Sequence, residues 1–385
     1  MADDIVLPIP NLELPQYQFT LSLPSLEHLH EHARHALLQG IEKDEMAPYY
    51  RVLVASSSLP ADEGLLAKLE AANVEELKKV DERLAEAEKT EGETEIADAL
   101  KARATYLTRI GDKDRSVTAQ ELALEKTPGV GSKIDIVLTL ARIGFFFGDN
   151  TLITSNLKKA EELIEKGGDW DRRNRLKVYQ GLHFTSIRQF KRAGELFIDA
   201  LSTFTATELL KYNDFVALTI IANALTLKRP DLKKKINAAP EVIQVLPELP
   251  TLSELTSSLY HCRYDKFFIA LATLEQTHLI PSRTLNQHAR YYVREMRILA
   301  YAQLLESYRS LTLESMSVAF GVTVNFIDNE LSRFISQGRL NCTIDKVNGV
   351  VETNRPSAKN SQYETVVRQG DVLLNSVQKL SKVLY

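Results

Sequence analysis

Four histidines, His28, His30, His32 and His35, crowd into one eight-residue stretch. Imidazole nitrogens are metal ligands, and on a helix His28, His32 and His35 share a face. A working site also needs an acid or thiolate to complete the ligand set and orient the rings, and none stands at a suitable spacing, so the run reads as a partly exposed helix face. Gly129-Val130-Gly131-Ser132-Lys133 has the glycines and the lysine of a phosphate cradle, but its leading glycine is missing and a helical pattern, not a strand, precedes it. It reads as a turn between helices. Trp170-Asp171 has no strand-rich repeats around it to make a propeller signature, and Arg172, Arg173, Arg175 and Lys177 read as a solvated helix start that would, if functional, meet an acidic protein surface. The basic run Lys228 to Lys235 has the composition of a nuclear signal but reads as a loop and helix face, and Arg290, Arg294 and Arg297 form a stripe suited to salt bridges at a core edge. No residue is assigned a catalytic, cofactor-binding or metal-binding role.

The elements carrying these residues belong to a large helical chain. Its 385 residues, 44% hydrophobic and 25% charged with net charge −4, describe an ordinary globular protein and neither a nucleic-acid coat nor a disordered acidic tail. Cys262 and Cys342 stand far apart, so no disulfide framework is expected and a reducing compartment, cytoplasm or nucleus, fits. The start MADDIVLPIP is acidic where a secretory signal is basic, and no apolar run reaches a membrane span.

In chain order, residues 1–60 are expected to form an extended strap, because Pro8, Pro10, Pro15 and Pro24 oppose a helix, followed by the first helices. Leu12, Leu14, Tyr17, Phe19, Leu21 and Leu23 make the strap too apolar for a free tail. Residues 61–250 are expected to form a solenoid. Its helix pairs turn at Gly111-Asp112, Gly148-Asp149 and Arg188-Gln189, a period close to that of tetratricopeptide repeats. Gly181 and Ala193 are small where the third pair must approach. Residues 251–310 continue as helices.

Residues 311–356 read as a winged helix. Leu313 to Phe320 forms a helix, Gly321 turns the chain, and Thr323 caps a second helix that Gly338 ends. On that helix Ile327, Leu331, Phe334 and Ile335 share one face. Leu340, Cys342 and Ile344 alternate toward Asn348-Gly349, a dipeptide suited to a type I′ hairpin, before Val350-Val351 return. Between Val324 and Leu340, Arg333 and Arg339 cancel Asp328 and Glu330, so the field that a nucleic-acid reader needs is absent and a protein partner fits better. Residues 357–385 form a last helix whose Tyr363, Val366, Leu373, Val377, Leu380 and Leu384 follow alternating three- and four-residue spacing, the pattern of a helical bundle seam.

With these parts in place the chain resembles the PCI family, the scaffold subunits of the proteasome lid, the COP9 signalosome and translation initiation factor 3. The resemblance is carried by GDWDRRNRLKVYQGLH (168–183), RYYVREMRILAYAQLLESYRSLTL (290–313) and IDNELSRFISQGRLNCTIDKVNGVVETNRP (327–356), and it is nearest to the lid branch. It implies a mainly α fold, a tetratricopeptide-like solenoid followed by a winged-helix PCI module and a long C-terminal helix. It implies a non-catalytic lid scaffold that supports degradation of ubiquitinated proteins, beside other PCI subunits, the lid deubiquitinase and the ATPase base, with no membrane or nucleic acid. Carried onto this sequence, Phe320, Asp328, Arg333, Phe334, Arg339 and Asp345 would lie in an arc of winged helices, and Tyr363 to Leu384 in a helix bundle. The alternatives are another PCI scaffold, such as a signalosome subunit, or a nucleic-acid adaptor.

Overall fold

In the computed structural model, which describes residues 6–90, 92–354 and 358–384, the chain forms two compact units. The first comprises residues up to Tyr260 together with Ala270–Val293, and the second His261–Ile269 together with the residues from Arg294 on.

The first unit begins with a correction to the extended strap. Residues Glu13–Ser22 form helix α1. Pro15 is its third residue, and the N–H groups of a first helical turn have no intrahelical acceptor, so the ring removes nothing there. Leu14 is buried with Leu37 and Ile41 of α2 (Glu27–Lys43) and with Tyr49, Tyr50 and Leu53 of α3 (Ala47–Ala55), while Leu12, Tyr17 and Leu21 pack around them. Apolar burial therefore organises this segment as a helix. The side-chain amide of Gln16 donates to the Pro281 carbonyl at 2.6 Å and its oxygen accepts from the Arg283 N–H at 3.0 Å.

The long α4 (Glu63–Thr90) precedes three antiparallel pairs: α5 (Glu93–Arg109) with α6 (Lys113–Lys126), α7 (Val130–Phe147) with α8 (Asn150–Gly167), and α9 (Trp170–Ser186) with α10 (Phe190–Leu201). The turns stand where the sequence repeat put them. Gly111, Gly148 and Arg188 are left-handed at φ 75°, 73° and 66°. A Cβ on Gly181 would approach the Phe197 ring to 2.4 Å, and one on Gly144 would meet Ile153 at 2.7 Å, so missing side chains set the closeness of two pairs. The unit continues through α11 (Tyr212–Thr226), α12 (Arg229–Leu232), α13 (Pro240–Val245) and α14 (Pro250–Tyr260). Pro240 and Pro250 each open a helix at a position that needs no N–H.

α15 (Tyr264–Leu274) and α16 (Ala289–Ser307) contribute to both units. In the second unit the chain continues as β1 (Ser310–Thr312), α17 (Leu313–Phe320), α18 (Val324–Ser336), β2 (Cys342–Asp345), β3 (Val350–Thr353) and α19 (Ala358–Leu384). The sheet is antiparallel in the order β1-β3-β2, with buried Val351 paired to Leu311 on one side and Ile344 on the other. Thr312 and Thr323 cap α17 and α18, and Gly321 and Gly338 are left-handed at their ends. The wing's tip corrects the type I′ expectation. Asp345 faces Val350 across a four-residue loop in which Gly349 alone has positive φ, and the Asp345 carboxylate accepts from the N–H groups of Val347 and Asn348.

Asp149 offers a test of the repeat turns. Its carboxylate accepts from Lys113 Nζ at 2.8 Å, from the Thr151 hydroxyl at 2.6 Å and from the N–H of Leu152, and these bonds hold its pKa far below the usual carboxylate range. A depressed folded pKa stabilises above the unfolded value, and that stability is lost as pH falls through the folded one. Asp149→Ala is expected to cost about 1–2 kcal/mol at pH 7, with the deficit shrinking below about pH 4. Denaturant melts of both proteins at pH 7 and pH 3 measure this.

Candidate assembly surfaces

The winged-helix module is built around Phe320. Its ring lies 4.8 Å from Tyr264, 5.0 Å from Phe268 and 4.7 Å from Tyr301, and Tyr301 also approaches Phe334 at 6.2 Å. Phe320 and Phe334 are each 1% exposed. This corrects their expected place on a partner surface: they are the core that holds α17 and α18 together. The apolar groups that do reach solvent are Val318 at 80%, Phe326 at 38% and Val347 at 94% exposure, with Val324 beside Phe326 at the start of α18. Sequence reasoning did not single out these four residues. The available signal was that Val318, Val324 and Phe326 fall off the buried spacing of their helices, as Phe326 precedes Ile327, Leu331 and Phe334, while Val347 lies in the loop between β2 and β3.

The predicted charged contacts separate in the same way. Arg333 is exposed on α18. Asp328 accepts from Lys346 Nζ at 3.1 Å, which ties the wing to the helix, and Asp345 is engaged in its own loop. Arg339 donates two hydrogen bonds to the buried carboxylate of Glu295, to Oε1 at 3.0 Å and to Oε2. Glu330 is half-buried against Arg297 at 3.3 Å, and burial pushes its carboxyl pKa up against the pull of that arginine. The charge on this module is therefore largely spent on internal pairs. Cys342 is likewise buried, which raises its thiol pKa and keeps it protonated.

α19 has the opposite character. Over its 27 residues, about 40 Å, every described side chain is exposed. Tyr363, Val366, Leu373, Val377 and Leu380 are 56–70% exposed, and Val367, Val372 and Leu374 widen the stripe. The side chain of Leu384 lies outside the described residues.

The residues considered for chemistry are placed apart. His28, His32 and His35 are exposed along α2, His30 Nε2 lies 3.0 Å from the Leu23 carbonyl, and among the described residues no three His, Cys, Asp or Glu side chains converge on a metal position. Arg229 donates to the Tyr260 carbonyl while Lys233 lies over that ring. A cavity of about 750 Å³ in the first unit is bordered by Glu13, Lys211 and Arg283. Glu13 pairs with Lys211, and the Arg283 guanidinium caps α7 through the carbonyls of Phe145 and Phe146.

A helical-repeat unit and a winged helix with inward charge and outward apolar groups define a protein of the PCI class. The profile described as PCI domain matches residues 266–355, that described as 26S proteasome subunit RPN7 matches 62–235, and that described as 26S proteasome regulatory subunit RPN7/PSMD6 C-terminal helix matches 362–384. A 26S proteasome non-ATPase regulatory subunit 6 homolog of Arabidopsis thaliana is 46% identical over 97% of each chain. The corresponding protein of Dictyostelium discoideum is 44% identical over 99% of each, and RPN7 of Saccharomyces cerevisiae 41% over 98% of this chain and 94% of its own. The chain belongs to this family of 26S proteasome regulatory subunits. A COP9 signalosome complex subunit 1 of Arabidopsis thaliana is a more distant relative, 22% identical over 240 residues.

Glu295 is buried and takes two hydrogen bonds from Arg339, with Arg294 Nη2 3.2 Å from its Oε1, so removing Arg339 leaves the carboxylate with Arg294 alone. Arg339→Ala is expected to destabilise the winged-helix unit by about 1–3 kcal/mol, whereas Arg333→Ala on exposed α18 stays within about 0.5 kcal/mol. Chemical denaturation followed at residues of the second unit distinguishes them.

Proposed function

We propose that the chain is a non-catalytic scaffold subunit of the lid of the 19S regulatory particle, supporting lid assembly and ATP-dependent degradation of ubiquitinated proteins. The observation that carries this reading is α19: a long helix whose heptad-spaced apolar side chains are exposed, in the segment that matches the family's C-terminal helix profile. Moving each such side chain from water into a helix seam contributes about 1.5 kcal/mol or more, so a row of them drives association with other apolar helices. In this reading Tyr363, Val366, Leu373, Val377, Leu380 and Leu384 enter a bundle with neighbouring PCI subunits. The winged helix joins an arc through Val318, Phe326, Val347 and Arg333, with Asp328, Arg339 and Asp345 keeping that edge in shape. The lid deubiquitinase and the ATPase base are the further partners, and the compartments are cytoplasm and nucleus.

The spent charges on α18 argue against nucleic acid, since a reading helix needs free Lys or Arg for phosphates and base edges.

The test uses the full chain tagged at its N-terminus and recovered gently for native mass spectrometry. One copy with lid subunits supports the scaffold reading, and recovery with signalosome subunits moves it to another PCI complex. A chain ending at Ala358, and the point variant Leu373→Asp, are expected to keep the melting behaviour of the parent but to lose recovery with the lid. Normal incorporation of the truncated chain would exclude the bundle role of α19.

A further inference from the structure

The cavity of the first unit carries hydrogen-bond acceptors that no donor of the described chain uses. Its volume of about 750 Å³ is that of a small-molecule site, and Leu7, Leu12, Phe145, Leu182, Leu218 and Ile221 make much of its wall apolar. The residues around the start of α1, together with α7, α9, α11 and the turn after α15, contribute to it, and all of its lining belongs to the first unit.

Three lining side chains have acceptor atoms to spare. Asp214, in the first turn of α11, makes no hydrogen bond or ion pair through its carboxylate among the described residues. It reaches solvent, yet burial among its surroundings raises its carboxyl pKa against the pull of Lys211 and His278 and with the push of Glu13, the combination that marks a carboxyl in a recess. Lys211 does not relieve it, because its Nζ holds Glu13 at 2.7 Å. His278 stands near enough to Asp214 for each to shift the other, and burial lowers its pKa and keeps the ring neutral at pH 7. The Thr277 hydroxyl donates its proton to the Thr273 carbonyl at 2.9 Å, so the 2.7 Å contact of Thr277 with His278 Nδ1 places the ring proton on Nδ1 and leaves Nε2 an acceptor. Glu208 is 3% exposed, and while its Oε1 accepts from Tyr179 at 3.1 Å, its Oε2 has no hydrogen-bond partner. Arg142 and Arg175, whose charges act on Tyr179, are spent on the Leu7 carbonyl and Thr139 and on Asp171. Of the cations on the lining, Arg283 is spent on the carbonyls of Phe145 and Phe146 and Lys211 on Glu13, which leaves Lys43, beside Asp44.

We propose that this cavity binds a small organic cation, an ammonium group on an apolar body, with the ammonium donating to Asp214 and His278 Nε2 and the body lying against Phe145, Leu218 and Ile221. An ammonium offers three donors and no acceptor, the complement of a carboxylate beside a neutral imidazole nitrogen, and Glu208 adds a further negative group to the same wall. An organic anion would meet these carboxylates with most of the lining cations already engaged. A bare metal ion would leave the apolar wall unused, and no three His, Cys, Asp or Glu side chains converge on a metal position among the described residues.

The probe is phenylbutylamine, which is protonated at neutral pH, titrated into the full chain and followed by saturation-transfer NMR. Phenylbutanol and phenylbutyrate are the neutral and anionic controls of similar size. Saturable binding of the amine at about 1 mM or tighter is expected, with the alcohol weaker by about tenfold and the carboxylate weaker still. Asp214→Asn keeps the shape of the site and removes its charge, and is expected to weaken the amine about tenfold while leaving the alcohol unchanged. Leu218→Trp fills the cavity and is expected to abolish binding of both, with circular dichroism and melting checking that it folds. Should Leu218→Trp fail to fold, Asp214→Asn and the ranking of the three probes decide. Absence of saturable amine binding, equal affinity for the alcohol or the carboxylate, or unchanged amine affinity in Asp214→Asn or in folded Leu218→Trp overturns the proposal.

Discussion

A helix that is apolar on more than one side cannot be covered by a single partner, and α7 imposes that constraint on the first unit. Ile134, Ile136, Val137, Leu138, Leu140, Ala141, Ile143 and Phe146 are all buried, and they point around most of the helix circumference. One hairpin partner, α8, covers one side, and α6, α9 and the N-terminal segments must cover the rest. Arg142 belongs to the same buried helix and is 4% exposed, with Nη1 donating to the Leu7 carbonyl at 2.8 Å and Nη2 to Thr139 at 2.7 Å. A buried guanidinium is tolerable only with such acceptors. The residues before α1 are thus recruited to satisfy a charge placed in the solenoid core.

The second unit divides its polarity differently. Its aromatic side chains face inward around Phe320, and its carboxylates Glu295 and Glu330 are drawn in with them and matched by Arg339 and Arg297. Arginine suits that role at Glu295, where the planar fork of Arg339 donates to both carboxylate oxygens at once. The consequence is a recognition-type helix whose outward face carries an isolated Arg333 and the apolar Val324 and Phe326 instead of a cationic row. Helix-turn-helix geometry is present without a row of cations along the second helix.

Elements whose termini are fixed by side-chain caps and left-handed glycines were readable from sequence. Thr323, Gly321 and Gly338 delimit α17 and α18, and Gly111 and Gly148 mark the repeat turns, because each signal acts within a few residues of itself. Signals that depend on tertiary burial were not readable in the same way. Pro15 argued for an extended strap until the core around Leu37 and Tyr50 made α1 the better way to bury Leu14. β1 has three residues, too short for periodicity to declare, and exists through its pairing with β3. Phe326 was separable from Phe334 by helical position alone, since it falls off the face that Ile327, Leu331 and Phe334 share.

Arg188 shows both kinds of information at one position. It occupies the left-handed turn position that Gly111 and Gly148 hold in the preceding pairs, a conformation costing a side-chain-bearing residue about 1 kcal/mol or more. A glycine would remove that cost but also the group that spans the turn. Arg188 Nε donates to His288 Nδ1 at 3.2 Å and its guanidinium lies 4.9 Å over the Tyr291 ring, while His288 Nε2 is 2.7 Å from the Ser186 carbonyl. With Nδ1 accepting, the ring proton sits on Nε2 and is donated to Ser186, so one tautomer serves both bonds. Backbone strain in the third repeat turn is therefore offset by tethering residues about a hundred positions further on. The repeat ends its regularity where it acquires a long-range partner.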